Sequence, residues 1–363
     1  MSAPPPRTTV AVVGTGAMAA AMADDLARCE GTELTAVVSR DARRAREFAD
    51  RHGVRVAVAT PSLGSLDVDL VYVATPHQDH APTARAALES GHHVLVEKAF
   101  TLDAAEAEEL TALAAARDRF LMEAMWMRFN PAVRRLQGLL AEGAVGEPRA
   151  VSAGFGRPVP QEPAHRLWAP EGGGTVLDQG VYPVTLADLV LGAPDTVAAT
   201  GSRRGYDGRD AGVETEAAVV LGFPGGRQAL CWTSIRAALP RRATVSGAGG
   251  HLELDEPFWC TGGLTLHRTG TEPERFDLPL EGRGYVPMLR AVHAAVSQGL
   301  REHPLCPPAW SVRVMRVLDE VRRQLRDGAT TSGGAGWAGR PEDRAGAAAR
   351  GDSAVRVGQT RGG

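Results

Sequence analysis

The sequence predicts an α/β fold: an N-terminal doubly wound parallel sheet, then an α+β domain built on a large, mainly antiparallel open sheet. Three observations lead there. Over the first third, short apolar runs alternate with longer segments rich in Ala, Glu, Leu and Arg, the strand, helix, strand order of a parallel sheet. The runs are unbroken, as in Val94-Leu95-Val96, so these strands are buried on both faces. Beyond about residue 130 the candidate strands are separated by Pro224-Gly225-Gly226 and Gly249-Gly250, tight reversals that join antiparallel neighbours.

The first strand, TTVAVVG (8–14), runs into Gly14-Thr15-Gly16-Ala17-Met18-Ala19, a G-x-G-x-x-A turn. Gly14 permits the tight turn, Gly16 lets backbone approach a pyrophosphate, and Ala19 lets the next helix pack closely. Amides at that helix's N-terminus then hold phosphate, so residues Gly14 to Met18 are expected to line a dinucleotide in a Rossmann domain. The second strand, LTAVVS (34–39), ends in Ser39-Arg40, where an NAD site would place an acid on the ribose 2′-hydroxyl. A hydroxyl and a guanidinium suit a 2′-phosphate instead, so NADP is expected, with NAD possible, and Ser39, Arg40 and Arg44 as its contacts. Arg43 and Arg44 also read as a solvated helix face, and Asp41 as the cap of ARRAREFADRHG.

After VRVAVA (54–59), the fourth strand, DLVYVATP (69–76), brings Thr75 and Pro76 to the nicotinamide ribose. His77 and His80 follow at a spacing that invites a metal, but no third ligand cluster accompanies them. No metal is expected, and His80 is assigned to the cofactor loop. The fifth strand, HVLVEK (93–98), ends on Glu97-Lys98 at the edge where open α/β sheets bind ligands; a strand-end charge turned to water is the plain alternative. Desolvation there is expected to lower the lysine pKa toward the working pH, with Glu97 turned to the opposite face. FLMEAM (120–125) supplies a sixth strand and closes a dinucleotide-binding domain over 1–125.

The second part, 126–327, is expected to bind substrate and to dimerise. It opens with the helix NPAVRRLQGLLAEG, with Pro131 in its first turn. Strands RAVSAGFG, TVAATGS, VETEAAVVLGF, RQALCWTSI, ATVSGA, HLELD and LTLHR follow, and a helix over 311–327 ends the ordered chain. Between the first two of those strands, Gly172-Gly173-Gly174 opens an apolar helical stretch in which Asp178 and Tyr182 share a face. A carboxylate and a phenol so placed can bind a hydroxyl and move its proton; a cap plus a core tyrosine is equally open. From Gly328 to Gly363 the composition offers little to bury, and a disordered tail is expected.

With 363 residues, 44% of them hydrophobic, and a net charge of -3, the chain has an ordinary soluble composition that suggests neither nucleic acid nor membrane as partner. The segment MSAPPPRTTV has no apolar signal core, so a cytoplasmic protein is expected. Cys29, Cys231, Cys260 and Cys306 have no paired spacing and imply no disulfide framework.

Together the fingerprint, Glu97-Lys98 and the glycine-rich Asp178 to Tyr182 segment resemble the glucose-fructose oxidoreductase / inositol dehydrogenase / rhizopine-catabolism (Gfo/Idh/MocA) family over roughly residues 8–327. The stretch Glu123-Ala124-Met125-Trp126-Met127-Arg128-Phe129-Asn130-Pro131, Arg166-Leu167-Trp168 and Gly284-Tyr285 are most similar to its dimeric dihydrodiol dehydrogenase and NADP-dependent sugar dehydrogenase branch. The resemblance implies Lys98, Asp178 and Tyr182 as catalytic residues, Glu97 beside the cofactor, and Trp126, Arg128 and Trp168 beside the substrate. It implies hydride transfer to or from a secondary alcohol or carbonyl of a sugar, polyol or cyclic diol. Rivals on the same scaffold are a redox-neutral sugar lyase, isomerase or glycosidase and a non-catalytic dinucleotide sensor. An open antiparallel sheet face also calls for a cover, hence a homodimer through that sheet. Where the family usually has proline after the lysine, this chain has Ala99, which removes a backbone constraint without changing the lysine's chemistry.

Overall fold

The computed structural model describes residues 7–59, 63–209 and 212–331. Its first sheet contains β1 (Thr8–Val13), β2 (Thr32–Ser39), β3 (Val56–Ala59), β4 (Leu70–Val73), β5 (His93–Val96) and β6 (Leu121–Glu123). All are parallel, in the order β3-β2-β1-β4-β5-β6. Strand order reverses between β1 and β4, which opens a crevice at their carboxyl ends. The apolar runs lie where both faces are covered: all of β4, and Val94 to Val96 of β5, are buried. Helices α1 (Ala17–Leu26), α2 (Ala42–His52), α3 (His80–Glu89) and α4 (Ala104–Ala116) make the crossovers. Asp41 caps α2 through the amides of Arg43 and Arg44, and Gly53 ends it in the left-handed region at φ 67°.

Helix α5 (Pro131–Ala141), capped by Asn130, leads to the second sheet. Its strands are β7 (Pro148–Gly156), β8 (Thr196–Arg204), β9 (Val213–Phe223), β10 (Arg227–Ser234), β11 (Ala243–Gly247), β12 (Gly250–Leu254), β13 (Gly263–Arg268) and β14 (Glu274–Asp277), with α6 (Val181–Leu191) between β7 and β8. The order is β14-β13-β12-β11-β7-β10-β9-β8; β7 and β10 pair in parallel and every other pair is antiparallel. Strand β14, Glu-Arg-Phe-Asp, carries no apolar run and gives no signal in the sequence.

Two last helices join the sheets. Helix α7 (Val286–Ser297) lies in the stretch expected to be a separate domain, yet it packs on α1 and β1, with Thr8 Oγ1 2.7 Å from His293 Nδ1. Helix α8 (Pro308–Thr331) packs on α4 and β6 at one side and on α6 and β8 at the other. It continues past the expected end at Asp327, so residues 328–331 are helical; the rest of the expected tail, 332–363, lies outside the described residues. Helices α6 and α8 cover one face of the second sheet. No helix among the described residues is long and apolar enough to cross a membrane.

Candidate active site

The crevice is built first by close backbone packing. A Cβ on Gly14, at φ 115°, would sit 2.4 Å from Ala74 O, so only glycine lets β1 turn against β4 here. Gly16, by contrast, has open space where its Cβ would be, and its helix begins with neither a side-chain cap nor an acid in the first turn. That leaves a positive helix end facing the gap. Thr15 is half-buried, and Ala17 and Met18 are exposed beside it. Thr75 Oγ1 is buried without a hydrogen-bond partner, and Pro76 beyond it is exposed. At the end of β2, Ser39 Oγ accepts from the Asp41 amide, while the Arg40 side chain is 79% exposed and 3.5 Å from Asp79. Arg44 is exposed; Arg43 pairs with Glu47 along α2, the solvated helix face. Unsatisfied Thr75, the open Gly16 and the unblocked helix end fit a dinucleotide.

Two residues expected to touch the cofactor are turned elsewhere. His80 is buried, with Nδ1 2.9 Å from Ala99 O and Nε2 3.0 Å from Thr75 O, so neither ring nitrogen is left for a ligand. Glu97 is buried beneath the site: one carboxylate oxygen accepts from Tyr72 Oη at 2.5 Å, the other from the Lys98 amide at 3.0 Å. The expectation that Glu97 turns from the ammonium agrees with this arrangement. Its carboxyl pKa is raised by burial.

Lys98 emerges at the end of β5, followed by a cis peptide bond to Ala99. Its Nζ donates to both Asp178 Oδ1 and Asp178 O, each at 2.9 Å, and lies 5.1 Å from the centre of the Tyr182 ring. Arg166 Nη2, on a side chain 58% exposed, donates to the same Oδ1 at 3.0 Å. Trp126 Nε1 donates to Tyr182 Oη at 3.1 Å. Asp178 and Tyr182 do not share one regular helix: Val176–Gly180 forms a π-type turn that leads into α6. Crowding fixes the approach to it. A Cβ on Gly172 would meet His77, one on Gly173 would meet Ala169 O at 2.3 Å, and one on Gly174 would meet Glu214 Oε2 at 2.7 Å.

The charges differ from expectation. Burial disfavours the Lys98 ammonium, but Asp178, Tyr182 and Glu97 together outweigh it and the lysine pKa is raised, not lowered toward neutrality. Burial likewise opposes ionised Asp178, yet Lys98 and Arg166 hold its carboxyl well below the usual range. Burial pushes the Tyr182 phenol up to about 12 against the pull of Lys98.

Aromatic rings wall this cluster. Phe155 stacks on Trp259 with centres 3.6 Å apart, both within 6 Å of the Tyr182 ring centre, and Trp126 stacks on Tyr285 at 5.2 Å. Phe155 and Trp259 come from distant segments with no common spacing, so nothing in the sequence marks them. Tyr285 and Arg166 lie inside stretches that carry the family resemblance. Arg128 and Trp168, expected near the substrate, are engaged elsewhere. Arg128 donates to Leu305 O and lies over the Trp310 ring at 4.1 Å; Trp168 Nε1 donates to Pro160 O and packs with Leu167, Val213 and Ile235. Among the described residues, no group of three or more His, Cys, Asp or Glu side chains is gathered to hold a metal ion.

Family models match both parts of the chain. Residues 8–125 match the oxidoreductase family NAD-binding Rossmann fold, and residues 133–253 match the GFO/IDH/MocA C-terminal domain. Trans-1,2-dihydrobenzene-1,2-diol dehydrogenase from Oryctolagus cuniculus is 35% identical over 308 residues, covering 81% of this chain and 90% of that protein. Among solved structures, the 3-ketoreductase KijD10 from Actinomadura kijaniata, in complex with NADP and TDP-benzene, is 32% identical with a TM-score of 0.76, covering 88% of this chain and 98% of that one. The aldose-aldose oxidoreductase from Caulobacter crescentus, complexed with glycerol, is 26% identical with a TM-score of 0.80, covering 89% and 98%.

Proposed function

The chain belongs to the Gfo/Idh/MocA oxidoreductase family, and from that premise we propose an NADP-dependent dehydrogenase acting on a secondary alcohol, or the matching carbonyl, of a sugar, polyol or cyclic diol. The observation that carries this reading is the Lys98 ammonium held between Asp178 and the Tyr182 ring at the mouth of a dinucleotide crevice. Residues up to Met125 hold the cofactor in this reading, and residues 126–327 carry most of the substrate site.

Gly14, Gly16, Thr75 and the start of α1 would hold the dinucleotide, with Ser39 and Arg40 toward its 2′-phosphate; when bound, the nicotinamide supplies hydride exchange at the carbinol carbon. The chain's own groups manage the oxygen. Lys98, kept cationic, stabilises negative charge on the substrate oxygen, and Tyr182 Oη exchanges the proton with it. Asp178 fixes Lys98 and accepts from a neighbouring substrate hydroxyl. Phe155, Trp259 and Trp126 offer flat apolar walls to a ring and exclude water. The NADP and TDP-benzene bound by the 3-ketoreductase, and the diol named for the rabbit enzyme, support the cofactor and substrate classes.

A second copy of the chain covers the open face of the second sheet in this reading. That face exposes Val220 (43%), Leu230 (52%) and Trp232 (44%), a continuous apolar patch on adjacent β9 and β10.

The test is steady-state assay of the purified protein on sugars, polyols and trans-diols, with NADP and NAD compared. NADPH formed or consumed in step with substrate supports the reading. Product formed without net change in NADPH would replace it with redox-neutral chemistry, and no turnover with tight dinucleotide binding would replace it with a sensor.

A further inference from the structure

The ring nitrogens of the paired histidines of the β4 loop all face backbone carbonyls. His77 is 7% exposed and meets His80 edge to face at 5.4 Å. Its Nδ1 lies 2.7 Å from Gly172 O, and its Nε2 lies 3.3 Å from Lys98 O. A neutral imidazole has one N–H, and the shorter contact assigns it to Nδ1. Burial lowers the ring's pKa, which keeps it neutral. One side chain thus touches the glycine loop of the second domain and the segment that carries Lys98.

Beyond Gly172 the loop rests on its own domain, with Gly174 N donating to Leu167 O at 2.9 Å and Gly173 crowded against Ala169. Pro170, Glu171 and Gly172 border a cavity of about 660 Å³ whose other wall includes Leu102, Arg316 and Asp319. Against His77 the fit is tight: at φ 70°, a Cβ on Gly172 would come within 2.9 Å of His77 Cβ. Six residues on is Asp178, bonded to Lys98 through both its side chain and its main chain.

We propose that His77 is a positioning residue, whose Nδ1–H donated to Gly172 O closes the glycine loop on the first domain and so seats Asp178 against Lys98. This role rests on the reading of Lys98 and Asp178 as the reaction centre, but the clasp itself does not.

The test uses the full chain. Hydrogen exchange is followed over residues 172–176 without ligand, and kcat and KM are measured beside it. Asn places an amide donor where Nδ1 stands, Gln where Nε2 stands, and Leu places none. His77→Leu and His77→Gln should each speed exchange of these amides about tenfold and lower kcat about tenfold, with KM for NADP changed less than about twofold. His77→Asn should restore both. Gly172→Ala disturbs the same contact from the other side, should reproduce the His77→Leu pattern, and gives the same information should His77→Leu not fold; combining the two should add little. Unchanged exchange in His77→Leu, or His77→Asn behaving like His77→Leu, overturns the clasp. Because exchange is read without turnover, a chain inactive on every substrate would remove the proposed function and still decide the clasp.

Discussion

At the scale of a residue, Lys98 is the point on which the proposed chemistry turns. The cation at 2.9 Å from Asp178 gains more from Asp178, Tyr182 and Glu97 together than it loses by burial, so in the proposed reaction it is a fixed positive charge. Tyr182, pushed up to about 12, is likewise protonated near neutrality. Both pKa values lie above the working range, so carbonyl reduction should show no alkaline fall in kcat/KM between about pH 6 and 9. Alcohol oxidation releases a proton and should rise over the same interval. A reduction profile that falls with a midpoint of about 7.5 would mean that neither of these groups is the acid. Lys98→Met keeps the apolar stem and should lower kcat by about a hundredfold or more while leaving NADP affinity nearly intact. Tyr182→Phe should also lower kcat, and the double variant should lose less than the product of the two if they serve one oxygen. At the other end of the crevice, Arg40→Ala should weaken NADP by about ten- to a hundredfold and leave NAD unchanged; equal losses for both cofactors would take Arg40 away from the 2′-phosphate.

At the scale of an element, helix α7 explains how a residue late in the chain reaches the site. Asp25, fully buried in α1, accepts from the Arg283 and Tyr285 amides at 2.8 to 2.9 Å, which fixes the turn before α7 and sets Tyr285 on Trp126. Asp25→Ala leaves those amides unpaired, at about 1–3 kcal/mol each. The midpoint of thermal unfolding should fall by a few degrees, since about 2–4 °C per kcal/mol applies at roughly 150–250 residues and less to a longer chain, and KM for substrate should rise more than KM for NADP. An unchanged midpoint would show that α7 is held by its apolar face alone. The π-type turn at Asp178 is also an element-scale feature. Its spacing in sequence is that of an ordinary helix, and in the structure Thr175 before it and Gln179 within it are both bonded to Thr233 of β10.

At the scale of the whole molecule, the second sheet has one face under α6 and α8 and the other in solvent. The exposed residues alternate along β9 and β10, the pattern of a half-buried sheet, but the outward side is apolar rather than charged. Sedimentation should find a dimer at micromolar concentration, and Trp232→Glu should return it to monomer with the fold intact by circular dichroism. A wild-type monomer would leave the patch without the proposed cover.

The sequence by itself determined the first sheet, its cofactor turn, the lysine at the edge, and the closeness of Asp178 to Tyr182 along the chain. These are local: an apolar run, a glycine spacing or a helical offset places its residues within a few positions of one another. Tertiary structure alone decided what those residues face. It set Phe155 and Trp259, about a hundred residues apart in sequence, in ring contact beside Tyr182. It also turned His80, Glu97, Arg128 and Trp168 into partners of backbone or core. The direction of the Lys98 pKa shift belongs to the same class. Desolvation can be read from a buried strand, but the sign of the net shift depends on a carboxylate eighty positions away, brought within 2.9 Å only by the packing of one domain on the other.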